Sequence, residues 1–125
     1  MRFIYTRWCF WASACTINQK LILVNPSCAT DKALLEHEIE HTRQMQLMGT
    51  WTFWFRYIVS RSFRLSVEVD AYRVQIKHGA PLIRCAHNLC TFYWLGISQE
   101  QAIELLAGDK RKGVIRHGGY DKTRA

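Results

Sequence analysis

The chain has 125 residues, 49% hydrophobic and 22% charged, with 17 Lys+Arg against 10 Asp+Glu for a net charge of +7. That length suits one domain able to bury its own core, and the balance excludes disorder, collagen and coiled coil as whole-chain descriptions. No stretch approaches the roughly 18 uncharged apolar residues of a membrane-spanning helix, and the most apolar run, Trp51 to Ser60, contains Arg56.

The N-terminus starts like a signal peptide, but Thr6-Arg7 interrupts the apolar run before a hydrophobic core is complete. Ala12-Ser13-Ala14-Cys15 departs from a lipoprotein cleavage site at Ala12. Five cysteines (Cys9, Cys15, Cys28, Cys85 and Cys90) form no C-x-x-C pair. An odd, sparse set reads as reduced thiols, and the expected location is cytoplasmic.

Residues 2 to 25 are rich in β-branched and aromatic types without a helical period, and predict a small sheet or hairpin. Its clearest strand is Lys20 to Asn25, closed by Pro26. A first helix is predicted over Asp31 to Met48, with Thr30 as N-cap, Asp31 in the first turn and Gly49 as stop. A second, aromatic helix runs from Trp51 to about Arg64, and a third from about Ser66 to His78, ending at Gly79. Pro81 opens a fourth that ends near Gly96. Ser98 and Gln101 form a capping box for a fifth, Ser98 to Ala107, stopped by Gly108. Residues 109 to 125 hold six basic and two acidic residues, so +4 of the net +7 lies there. They predict a flexible basic tail behind a single domain over 1–108.

The first helix carries His37-Glu38-Ile39-Glu40-His41, an H-E-x-x-H motif. Residues four apart lie one above the other on a helix, so two imidazoles at this spacing can share one Zn²⁺. Glu38, beside the first ligand, is placed to take a proton from a water that the metal acidifies. Tyr72 lies four residues after Glu68 on the third helix, facing the same way. Its phenol could stabilise an oxyanion, or it could simply pack. His87 on the fourth helix is a second candidate for the oxyanion, or for the metal.

On these residues the chain resembles the zincin metallopeptidases. The wider pattern runs Ala14-x-Thr16-Ile17, Leu21-Ile22-Leu23-Val24, His37-Glu38-x-x-His41-Thr42-Arg43-Gln44, Gly49 and Glu68-Val69-Asp70-Ala71-Tyr72. It is similar to small HExxH peptidases of bacteria and their phages. The resemblance implies an α+β fold, with a small N-terminal sheet packed on a central zinc helix, and zinc as cofactor. It also implies a peptide or protein substrate. One zincin branch takes a third histidine from an extended motif, but Gln44 and Leu47 occupy the Gly and His positions. The gluzincin branch takes a downstream glutamate, and Glu68 fits, 27 residues after His41. Asp70 is the competitor, as ligand or as acceptor for a histidine N–H. The resemblance also implies that Leu21 to Val24 is an edge strand that binds extended peptide.

Trp51, Phe53, Trp54, Phe55, Tyr57 and Phe63 read most simply as core behind the zinc helix. Flanked by Arg56, Arg61 and Arg64, they could instead lie in an anionic membrane interface. The leading expectation is a zinc-dependent hydrolase with His37, His41 and Glu68 as ligands and Glu38 as base. Two rivals are a metal-retaining binding protein without turnover and a nucleic-acid-binding protein acting through the basic tail. Nothing beyond the tail supports the nucleic-acid reading.

Overall fold

The computed structural model describes residues 2–7 and 13–108. Cys9 and the basic segment 109–125 lie outside the described residues. Strand β1 (Arg2–Tyr5) is followed by a hairpin of β2 (Ala14–Asn18) and β3 (Leu21–Val24). The Asn18 side chain closes the turn by accepting from the Lys20 N–H at 2.8 Å. The sheet order is β1-β3-β2, with β1 parallel and β2 antiparallel to β3. Leu21–Val24 is therefore the central strand, and its expected role as an edge is corrected. Both of its sides are already hydrogen-bonded, and among the described strands β2 and β1 form the edges.

Alternation along β3 buries Ile22 and Val24. Thr16 sits opposite Ile22 and is buried with it, so this face of the sheet is the one that meets α1 (Lys32–Met48). The N-cap of α1 is Asp31, which accepts from the Leu34 N–H at 3.1 Å, and not Thr30. Gly49, at φ +92, ends the helix in a conformation that a side chain disfavours. The buried face of α1 is mostly polar: His37, Glu38, Glu40, His41, Thr42 and Gln44. Such groups are stable inside only when paired or holding an ion, which marks this face as the site.

Helix α2 (Thr50–Val59) ends five residues earlier than expected, and α3 (Arg61–Lys77) begins earlier. Ser60 separates them as the N-cap of α3, accepting from the Phe63 N–H at 3.1 Å. The central helix is α3 rather than α1. Every residue from Ser66 to Tyr72 is buried, and α3 packs against α1, α2, α4 and α5. Met45, Phe53, Phe63 and Val67 form a small core between α1, α2 and α3. A larger one, including Val69, Cys85, Leu89, Ala102 and Leu106, lies under α3, α4 (Leu82–Phe92) and α5 (Gln99–Ala107).

Pro81 is the N-cap of α4, one position before its first turn. Helix α4 stops at Phe92 rather than near Gly96, where Trp94 (φ 50) and Gly96 (φ 69) turn the chain away. The Ser98–Gln101 capping box on α5 is formed in both directions. The architecture is α+β. No described helix is long and apolar enough to cross a membrane. Cys28, Cys85 and Cys90 are free thiols.

Candidate metal centre

The one-turn offset on α1 brings the His37 and His41 rings together edge to face, with centroids 4.9 Å apart. Glu68, projecting from the enclosed α3, meets them. Its Oε1 lies 3.4 Å from His37 Nε2 and 3.3 Å from His41 Nε2. Glu68 is only 3% exposed, and Oε1 receives no hydrogen bond. A buried carboxylate oxygen without a donor, aimed between two imidazole nitrogens, is what a cation would satisfy. His37, Glu38 and His41 also form a buried group whose ligand atoms all lie within 4.8 Å, and this group could hold a metal ion.

Spacing tests the fit. Four ligands at about 2.0–2.2 Å around a tetrahedral ion stand about 3.4 Å apart, whereas octahedral ligands at about 2.1 Å stand about 3.0 Å apart. The two Nε2–Oε1 separations match the tetrahedral edge.

Neighbouring groups orient each of these side chains. Gln44, one turn after His41, donates from Nε2 to the Val67 carbonyl at 3.1 Å, which leaves its Oε1 facing His41 Nδ1 at 2.8 Å. His41 Nδ1 therefore carries a proton, and Nε2 is the ring nitrogen that faces Glu68. Tyr57 of α2 donates its hydroxyl to Glu68 Oε2 at 2.5 Å, holding the carboxylate so that Oε1 points to the histidines. The Thr16 hydroxyl lies 2.8 Å from Glu38 Oε1, while Glu38 Oε2 stands 3.6 Å from His37 Nε2. Strand β2 thus fixes one oxygen of Glu38 and leaves the other at the site.

Burial opposes charge at both Glu68 and His41, but their mutual attraction outweighs it. The Glu68 carboxyl is held well below its usual range by His41 and His37. His41 is pushed up to about 9, chiefly by the Glu68 carboxylate. The sign for chelated protein follows. The His41 contribution to stability is complete below its unfolded value of 6.5 and is lost as pH rises through about 9. The Glu68 contribution is complete above 4.5 and is lost as pH falls further. Urea midpoints measured in chelator are therefore expected to peak between these two values and to fall toward pH 9. That alkaline fall should flatten in Glu68→Gln; a midpoint that climbs across the same range contradicts the pairing.

A cavity of about 530 Å³ opens onto these groups. Ser13 to Thr16 of β2 and its approach form one wall, and Phe53, Trp54 and Tyr57 of α2 form another. Tyr72 packs edge-on against His37, centroids 4.4 Å apart, and its hydroxyl is 2.8 Å from that of Tyr93. Burial, then the nearby Glu68 charge, raises both phenols above their ordinary range, so both stay protonated. Within the pair one hydroxyl donates to the other, and the acceptor keeps its own proton for a further partner. Gln75 and Asn88 add amide groups to the lining.

The structure brings His37, Glu38, His41, Glu68 and Tyr72 together. It does not bring Asp70 or His87 to them. Asp70 is buried on another face of α3, two residues from Glu68, and does not line the cavity. His87 is exposed on α4, and its neighbour Asn88 faces the cavity instead. The core reading of the aromatic helix holds for Phe53 and Phe63, with Trp54 and Tyr57 packed against them. It fails for Trp51 and Phe55, which are exposed. Sequence reasoning missed the roles of Thr16, Gln44, Tyr57 and Tyr93. Of these, Gln44 had a local signal, lying three residues after His41. No protein-family model matches the chain, and neither does any curated protein or solved structure.

Proposed function

We propose that the chain is a zinc-dependent hydrolase, a minimal metallopeptidase of gluzincin type with a zincin-like arrangement of sheet and helix. The observation that carries this is Glu68 Oε1, buried, without a donor, and 3.3–3.4 Å from both histidine Nε2 atoms. In this reading His37, His41 and Glu68 hold the metal. Glu38 is the poorer third ligand, because Thr16 takes one of its oxygens and it follows His37 directly on the helix. Two imidazoles, one carboxylate and tetrahedral spacing favour zinc over octahedral cations. Zinc, when bound, lowers the pKa of a coordinated water toward about 7 and polarises a carbonyl.

The remaining steps belong to the chain's own residues. Glu38 takes the proton of the attacking water through the oxygen that Thr16 leaves free, and later returns a proton to the leaving amine. The phenol pair of Tyr72 and Tyr93 donates a hydrogen bond to the oxygen that gains charge. The β2 edge beside the cavity receives an extended peptide by strand addition, the role expected of Leu21–Val24. Incubating zinc-loaded protein with a mixed peptide library tests the reading. New peptide termini that depend on both zinc and Glu38 support it. Tight zinc without any cleavage makes the chain a metal-containing binding protein instead.

A further inference from the structure

The outer face of α2 has no part in the metal centre. Trp51, Phe55 and Ile58 follow one another at i, i+4 and i+7, with Val59 beside them. All four are exposed, Trp51 at 88%. The opposite face of the same short helix carries Phe53, Trp54 and Tyr57 toward the cavity. Helix α2 is therefore apolar on both sides, and among the described residues only its inner side packs against the domain.

A second segment extends this surface. Trp94, between α4 and α5, is also 88% exposed and sits at φ 50, a backbone conformation that a large side chain rarely adopts. The Arg64 guanidinium reaches the carbonyls of Ile58 at 3.4 Å and Trp94 at 3.5 Å, so the two segments are neighbours. Phe92 is exposed and also lines the cavity, so the apolar surface runs to the cavity rim. Isolated exposed hydrophobes are ordinary, but a cluster with two outward tryptophans marks an interaction surface.

Charge selects the occupant. No Asp or Glu occurs between Glu40 and Glu68, while Arg43, Arg56, Arg61 and Arg64 do. Arg43 is held by Glu40, and Arg64 by backbone carbonyls of Tyr57 and Tyr93. Arg56 and Arg61 are exposed. Tryptophans with an apolar body and a polar N–H, an aliphatic stripe and flanking arginines suit the boundary between headgroups and acyl chains. An apolar stripe about 10 Å long, from Trp51 to Ile58, lies in such a boundary rather than crossing it.

We propose that this face docks the protein onto an anionic lipid surface. Trp51, Phe55, Ile58 and Trp94 enter the headgroup boundary, and Arg56 and Arg61 meet the phosphates and carboxylates. The docking does not depend on the metal reading. If both hold, the cavity opens beside the bilayer and the substrate is a chain presented at a membrane surface.

Vesicle sedimentation of the full chain tests this, with equal parts phosphatidylcholine and phosphatidylserine beside phosphatidylcholine alone. The wild type should sediment with the mixed vesicles and far less with the neutral ones. Trp51→Ser with Phe55→Ser, both at exposed positions, should weaken binding by about tenfold or more while leaving the melting temperature unchanged. Arg56→Gln with Arg61→Gln should weaken binding to mixed vesicles by about 25-fold, roughly fivefold per charge. The basic segment 109–125 is common to all variants, so the ratios report on this face alone. Wild type that ignores mixed vesicles overturns the proposal, as does a double aromatic variant that binds like wild type. A dimer in solution that Trp51→Ser with Phe55→Ser abolishes, without vesicle binding, gives the face to a second copy. Vesicle binding should survive chelation; protein that takes up no zinc on reconstitution yet binds mixed vesicles refutes the metal reading alone, and protein that takes up zinc but ignores the vesicles refutes docking alone.

Discussion

Glu38→Gln is expected to reduce peptide hydrolysis by about a hundredfold to ten-thousandfold while zinc content stays at the wild-type level. Glutamine has the shape of glutamate, and its carbonyl oxygen can still accept from Thr16, so the hairpin and α1 stay docked. What is lost is the capacity to take a proton. In the proposed reading Glu68 rather than Glu38 is the third ligand, since Glu68 Oε1 stands 3.4 Å from His37 Nε2 and 3.3 Å from His41 Nε2, against 3.6 Å from His37 Nε2 for Glu38 Oε2. Activity and metal content should therefore separate in this variant. If both fall together, Glu38 is a ligand, and the base must be sought elsewhere in the cavity.

Chelation is expected to lower the melting temperature of zinc-loaded protein by roughly 15 °C. A metal held at about a thousand times its Kd stabilises the folded chain by about 4 kcal/mol. For a domain of this size, each kcal/mol moves the transition by roughly 4 °C. The unfolded chain cannot reproduce the site, because Glu68 reaches His37 and His41 only through the packing of α3 against α1. Glu68→Ala should melt at one temperature with or without chelator. A wild-type transition indifferent to chelator after zinc loading contradicts a site that couples to folding.

The local part of this centre was legible in the sequence, and the assembled part was not. His37, Glu38 and His41 lie within one helical turn, so their spacing alone places them together. Glu68 needed the resemblance to a family, because no spacing rule links residues on separate helices. Tyr57 and Tyr93 could not be read as site residues, since only tertiary packing carries their hydroxyls to Glu68 and Tyr72. The small sheet or hairpin followed from β-branched and aromatic residues without a helical period, but such composition does not name a strand's neighbours. The resemblance implied that Leu21–Val24 is an edge, whereas β1 pairs to its other side. The boundary between α2 and α3 was misplaced because neither glycine nor proline marks it, and Ser60 is its only punctuation. On α2, aromatic residues occupy both faces, so composition could not separate Phe53, which packs inward, from Trp51 and Phe55, which do not.

Metal content of the purified, zinc-reconstituted protein tests the central claim most directly, for wild type beside His41→Ala and Glu68→Ala. The account predicts one bound zinc per wild-type chain, falling sharply in both variants. Wild type that holds no zinc after reconstitution contradicts it, and the buried histidine–glutamate cluster would then be a polar network of the fold.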